Sequence, residues 1–200
     1  MTRRPDYKGA ITYCLARLRD ELSPKLTYHN LWHTEQDVIP GCARIAQHSG
    51  VDEREMRLLE TAAAFHDIGF TETYTNHEIA GVRIAAQVLP DYGYAAHEID
   101  LIIGMIMATR LPQSPRTRLE EILADADLDV FGRKDFFSRN EALRQEWAAY
   151  GREIDLGPWV EGQLAFLRSH EYFTPAAKML RNEMKELHMQ MLEEKLRELS

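Results

Sequence analysis

The chain has 200 residues, 44% of them hydrophobic and 28% charged, with a formal net charge of −8. That balance excludes a disordered or fibrous polymer, and its acidic excess argues against partners that are nucleic-acid polymers or anionic membranes. Cys14 and Cys42 lack metal-ligand spacing and read as free thiols, and no apolar signal segment or run of about eighteen apolar residues is present, so a cytoplasmic protein is expected.

Hydrophobic spacing predicts helices almost throughout. Over 7–22, Ile11, Leu15, Leu18 and Leu22 recur at three- and four-residue steps before Pro24. A second helix is predicted over 34–48, with Pro40 as a kink or first-turn residue and Ser49-Gly50 as its stop. Asp52 and Glu55 have capping-box spacing for a third helix, which leads into His66-Asp67. Asn76 is expected to cap a helix over 77–88 ended by Pro90, and another spans 95–108. The two prolines of 110–116 predict a loop. Helices over 117–131, 135–150, 158–169 and 175 to the end follow, the last opened by Thr174 and Pro175. With no period-2 strand of useful length, no repeat and no linker, the expectation is one all-α domain over 1–200, a bundle of eight or nine helices. Its core would span about 25–170 and its C-terminal helix about 175–198.

The chemistry-bearing residues concentrate in three places. His66-Asp67 closes the apolar run Ala62-Ala63-Ala64-Phe65, where an imidazole and a carboxylate are costly to bury without a partner, and a divalent cation is the natural one. Neighbours in a helix cannot share a face, so both reach one ion only if the helix ends there, as Gly69 and Thr71-Glu72-Thr73 indicate. His29 and His33 lie four apart and share a face if their stretch is helical; such a pair can supply a ligand and a proton donor. In the run Asp125, Asp127, Asp129, a helical wheel puts Asp127 beside the apolar stripe of Leu123, Ala126 and Val130 and the other two farther off. Asp127 is therefore the expected carboxylate ligand and Asp125 the fallback. Mixed His and carboxylate ligation suits Mn²⁺, Mg²⁺, Fe²⁺ or Zn²⁺ and leaves positions open for water, so hydrolytic chemistry at phosphorus is within reach.

The ordered set His…His-Asp…Asp resembles that of the HD-domain metal-dependent phosphohydrolases, an all-α superfamily. Tyr28-His-Asn-Leu-Trp-His33 is also similar to the YHNxxH element of cyclic-nucleotide phosphodiesterases. The resemblance extends over residues 28 to about 190, where "ATRLPQSP", "ILADADLDVFGRKDF" and "FLRSHEYFT" look like a bacterial branch of predicted phosphohydrolases. It implies His33, His66, Asp67 and Asp127 as metal ligands, with His29 as the acid and Asp67 also catalytic. The implied substrate is a small, nucleotide-like phosphate ester, and a single ion is favoured over two. His77, Glu78 and Arg110 are candidates for a second metal or for substrate. A non-catalytic nucleotide sensor and a di-iron oxygenase are the alternatives on the same scaffold. The apolar stripe of the last helix (Met184, Leu187, Met191, Leu192) could pack on the domain or form a homodimer seam.

Overall fold

A computed structural model describes residues 4–199. Among them are nine α-helices and no strand: α1 Tyr7–Glu21, α2 Ile39–Ala46, α3 Glu53–Phe65, α4 His77–Val88, α5 Ala96–Ala108, α6 Arg118–Asp127, α7 Phe136–Ala149, α8 Leu156–Ser169 and α9 Pro175–Leu199. A π-helical turn, His33–Val38, runs straight into α2, and 3₁₀ turns follow α3, α4 and α6 at Ile68–Thr71, Leu89–Tyr92 and Asp129–Gly132. No helix of the described residues is long and apolar enough to cross a membrane.

The middle of the fold is α3. Leu59, Ala62, Ala63, Ala64 and Phe65 are all fully buried, and the helix packs on α1, α2, α5 and α6. Three successive alanines leave room for neighbouring backbones to come close, which places the end of α3 at the centre of the bundle. Its start is secured by the expected box: Asp52 Oδ1 accepts from Glu55 N at 2.8 Å, and Glu55 Oε2 accepts from Asp52 N at 2.9 Å. Thr174 likewise caps α9, accepting from Ala177 N at 3.1 Å, with Pro175 at the first helical position.

Four boundaries depart from the sequence expectation. The second helix starts at 31, not 34, because Asn30 Oδ1 accepts from His33 N at 3.2 Å and caps it. Pro40 is a first-turn residue of α2, as expected, at its second position directly after the π-helical turn. The turn before it is widened, with Ile39 N–H reaching back five residues to Thr34 O, so the proline's missing donor falls where the hydrogen-bond register has already shifted. Asn76 does not cap α4 with its side chain: it sits in the left-handed region (φ 54°) and its Oδ1 accepts from Arg110 Nη2 at 3.1 Å. Finally α6 stops at Asp127 rather than near 131, and the Leu128 carbonyl accepts instead from Tyr172 Oη at 3.2 Å, a contact 44 residues away in sequence. α8 also begins two residues early, at Leu156.

Gly69 lets the turn after α3 pack directly on the first turn of α4. A Cβ there would collide with the carbonyl of His77 and come within 2.7 Å of Gly81 N, both backbone atoms that cannot step aside. Gly69→Ala should therefore lower unfolding free energy by roughly 2–4 kcal/mol, read as a drop in the urea midpoint at unchanged slope.

His170 is buried against the edges of Phe131 and Tyr172, and neither ring nitrogen has a hydrogen-bond partner. Burial, with the Lys185 ammonium beside it, pushes its pKa down to about 4. The unfolded chain binds a proton at this ring from about pH 6.5 downward and the folded chain does not, so stability falls as pH drops from about 6.5 to about 4. The expected loss is roughly 3 kcal/mol, and His170→Phe should flatten that slope in pH-dependent melts.

Candidate metal centre and adjoining pocket

His66 is the first residue past α3 and Asp67 follows with φ −103° and ψ 4°, so the chain turns there and both side chains face inward. Both are buried. His66 Nδ1 donates to Ala63 O at 2.7 Å, which assigns the ring's tautomer and leaves Nε2 as a lone pair. That lone pair lies 3.2 Å from Asp67 Oδ2 and 3.5 Å from Asp127 Oδ1. From the capped helix, His33 Nε2 enters the same space, 3.2 Å from Asp127 Oδ1 and 3.8 Å from Asp67 Oδ2. Ligand atoms of His33, His66 and Asp127 all lie within 4.8 Å of one another.

Lone pairs and anionic oxygens converging at this distance repel unless positive charge sits between them. His66 Nε2 and Asp67 Oδ2 are buried and have no hydrogen-bond partner. The pKa directions say the same. Burial opposes protonation of His66, but the Asp67 and Asp127 carboxylates override it and hold the imidazole well above its usual value; His33 is raised likewise, against burial, by Asp127 and Asp37. Burial alone would push the two aspartates up, yet His66 draws Asp67, and His33 and His66 draw Asp127, below the ordinary carboxylate range. The donor set fits a divalent cation held by His33, His66, Asp67 and Asp127.

The geometry places the other candidates around this cluster. His77 Nε2 is 3.5 Å from Asp67 Oδ1 and 3.7 Å from Glu78 Oε1, and burial lowers its pKa despite those carboxylates. Phe70 packs against the rings of both His77 (centroids 3.8 Å) and His29 (4.8 Å), which lie 6.2 Å from each other. Arg110 is exposed at the pocket rim, tied to Asn76. Asp125 points away: Phe173 N, Thr174 N and Thr174 Oγ1 donate to its oxygens at 2.7–2.8 Å, and burial, against those bonds, raises its pKa. The wheel expectation that Asp125 and Asp129 lie farther from the interior is corrected here. Both are more buried than Asp127, because long-range partners satisfy them: Thr174 hydrogen-bonds Asp125, and Arg44 and Arg181 pair with Asp129. Asp127, the last residue of α6, keeps the accessible edge of the site.

His29 is not helical; it precedes the cap Asn30, so helix periodicity does not bring it to His33. What orients it is Glu146 of α7, fully buried and 117 residues away. Glu146 Oε1 lies 2.5 Å from His29 Nδ1, and Oε2 accepts from the backbone N–H groups of Tyr28 and His29 at 2.9 Å each. Burial would raise this carboxyl; the His29 contact and the two N–H donors bring it below its ordinary value. Nδ1 therefore carries the proton toward Glu146, and Nε2 is free to serve the cavity. Sequence reasoning missed Glu146, which has no local signature. It also missed Asp37, whose Oδ2 lies 3.5 Å from His33 Nδ1 and whose Oδ1 pairs with Arg133. The four-residue spacing from His33 to Asp37 was available as a signal.

Tyr28, His29, Asp67, His77 and Asp127 open onto a cavity of about 860 Å³. Its other walls come from the 109–111 loop, the 128–131 turn, α7 and α8.

Fold and site together define an all-helical protein with a buried His/Asp cluster of metal-ligating geometry. A profile of the HD domain family matches residues 38–129, which hold His66, Asp67 and Asp127 and begin just past His33. Over that stretch, just under half of its length, the chain is similar to the HD-domain superfamily. It is 34% identical over 106 residues to an uncharacterized protein of Clostridium beijerinckii, a match covering 50% of this chain and 64% of that protein. The fold is similar to the crystal structure of a predicted HD superfamily hydrolase from an uncultured Thermotogales bacterium, with TM-score 0.65 and 18% identity over all of this chain and 97% of that one.

His66→Ala and Asp67→Ala should each reduce metal retained through purification by at least roughly tenfold, since each removes a donor atom directly. Glu146→Gln and His29→Ala should retain metal at wild-type stoichiometry. Elemental analysis of the four variants tests this, and equal metal in wild type and Asp67→Ala would contradict it.

Proposed function

We propose that the protein is a metal-dependent phosphohydrolase acting on a small, nucleotide-like phosphate ester, as a phosphomonoesterase or phosphodiesterase. The observation that carries this reading is the pairing of two features at one cavity wall. One is the set of buried, unpartnered donor atoms at His66 and Asp67; the other is a histidine, His29, whose proton position is set by a buried carboxylate.

His33, His66, Asp67 and Asp127 would hold a divalent ion, which would supply charge to polarise a phosphoryl oxygen and to acidify water at the site. The chain's own residues do the rest. Water adds at phosphorus and releases one proton to solvent, the bond from phosphorus to the leaving oxygen breaks, and His29 in its imidazolium form gives that oxygen its Nε2 proton. Glu146 keeps the ring turned to the cavity, while Phe70 packs against its face. Arg110 and His77 are placed to receive the remaining phosphate oxygens, Arg110 with its guanidinium steadied by Asn76. One ion is held, and His77 and Glu78 serve substrate.

A panel of nucleoside monophosphates, cyclic nucleotides and dinucleotides should show phosphate-ester cleavage with at least one of Mn²⁺, Mg²⁺, Co²⁺ or Fe²⁺, abolished by chelation and restored on re-addition. His29→Ala should retain metal and lose roughly 10²- to 10⁴-fold in kcat. Tight nucleotide binding with no product under any metal would overturn hydrolysis in favour of a sensor.

A further inference from the structure

Resting on that reading, we propose that Gln163 determines which leaving group the pocket accepts. It acts as a hydrogen-bond donor that reads an acceptor on a planar heteroaromatic ring. The cavity that Asp67 and Asp127 open onto is also walled by Phe131, Leu143, Trp147, Ile154, Trp159 and Phe166. Gln163 lies among them, only 6% exposed.

The orientation of its amide follows from a chain of bonds that begins at a group with one option. Trp159 Nε1 is 2.7 Å from a terminal atom of Asn140, and an indole N–H can only donate, so that atom is the carbonyl Oδ1. The other terminus of Asn140 is then its amine, which donates at 2.5 Å to Gln163; the receiving atom is therefore Oε1. Nε2 remains, with two N–H donors, and no residue among those described accepts from it. Trp159 and Gln163 stand four residues apart on α8, on the face turned to Asn140 of α7, so the relay is braced by two helices.

An amide nitrogen in an apolar pocket selects by what it lacks. An alkyl or phenyl group entering there would displace water from the two donors and leave them unpaired, whereas a ring carbonyl or ring nitrogen would pair one of them. The indole and phenyl faces suit a flat partner. Arg152, its guanidinium 3.8 Å above the Trp147 ring, closes the rim with a further planar surface. The cavity, at about 860 Å³, exceeds what a bare phosphate requires and accommodates an ester carrying a ring and a linker.

The deciding variant is Gln163→Glu. It keeps an oxygen for the Asn140 amine, so the relay and the fold are maintained, and it removes the donor. Binding of uridine and guanosine 5′-monophosphates and of phenyl phosphate is measured with Mg²⁺ present by quenching of tryptophan fluorescence, independently of turnover. Wild type should bind at least one nucleotide roughly tenfold tighter than phenyl phosphate; in Gln163→Glu that ratio should collapse to about one, with phenyl phosphate affinity changed by no more than about twofold. An unchanged ratio in the variant, or no nucleotide preference in wild type, would overturn the assignment, even if esters are hydrolysed. A preference lost in Gln163→Glu without turnover by any metal would uphold the ring subsite while removing hydrolysis.

Discussion

Everything in this molecule is arranged around the difficulty of keeping two imidazole lone pairs and two carboxylates together away from water. His66 and Asp67 are held where the central helix ends, with only a few per cent of either exposed to solvent, and the Ala63 carbonyl fixes which nitrogen of His66 faces the carboxylates. In such surroundings, repulsion between the groups is poorly screened, and neutralising charge must be supplied locally. Protons can supply it, and so can a cation. The binding of the one excludes the other, which is why metal affinity in such a cluster is inseparable from pH.

The architecture delivers the four donor residues from three separate elements: the capped helix at 31–46, the end of α3, and the last residue of α6. Each delivery depends on a local departure from regular helix. The π-helical turn sets His33 above Asp37 while accommodating Pro40, α3 stops so that two adjacent side chains can turn inward together, and α6 ends where its carbonyl finds Tyr172. Irregular backbone is concentrated where the chemistry is, in keeping with the general tendency of π turns and strained residues to cluster at functional sites. Asn76, a non-glycine residue with positive φ at the pocket rim, fits the same pattern.

The helices were readable because their signals are local: three- and four-residue apolar steps, the box at Asp52 and Glu55, Thr174 before Pro175. The cluster was readable for a similar reason, since His66-Asp67 after four apolar residues states its own cost of burial. What escaped notice depends on partners remote in sequence. Asp127 was separated from Asp125 by a wheel argument whose premise fails, because Asp125 and Asp129 are buried by groups near residues 173 and 181 that no window around 125 contains. Glu146 is one of two acids on α7, a helix with no strong apolar face, and only the folded chain shows that its carboxylate meets His29. Asn76 looked like a cap from its position alone; the arginine that engages it comes from the 109–111 loop.

The anchoring of His29 by α7 has a consequence for how such a site can change. The four candidate cation ligands lie between residues 33 and 127, whereas the carboxylate that orients His29, and the indoles that wall the cavity, come from beyond residue 140. Under the proposed function, ion capture and the shaping of the cavity wall would be carried by different stretches of one polypeptide. Substitutions in the later stretch would then change which molecule fits the cavity while leaving the four candidate ligands untouched, so descendants of a single scaffold would diverge in diet while sharing one engine.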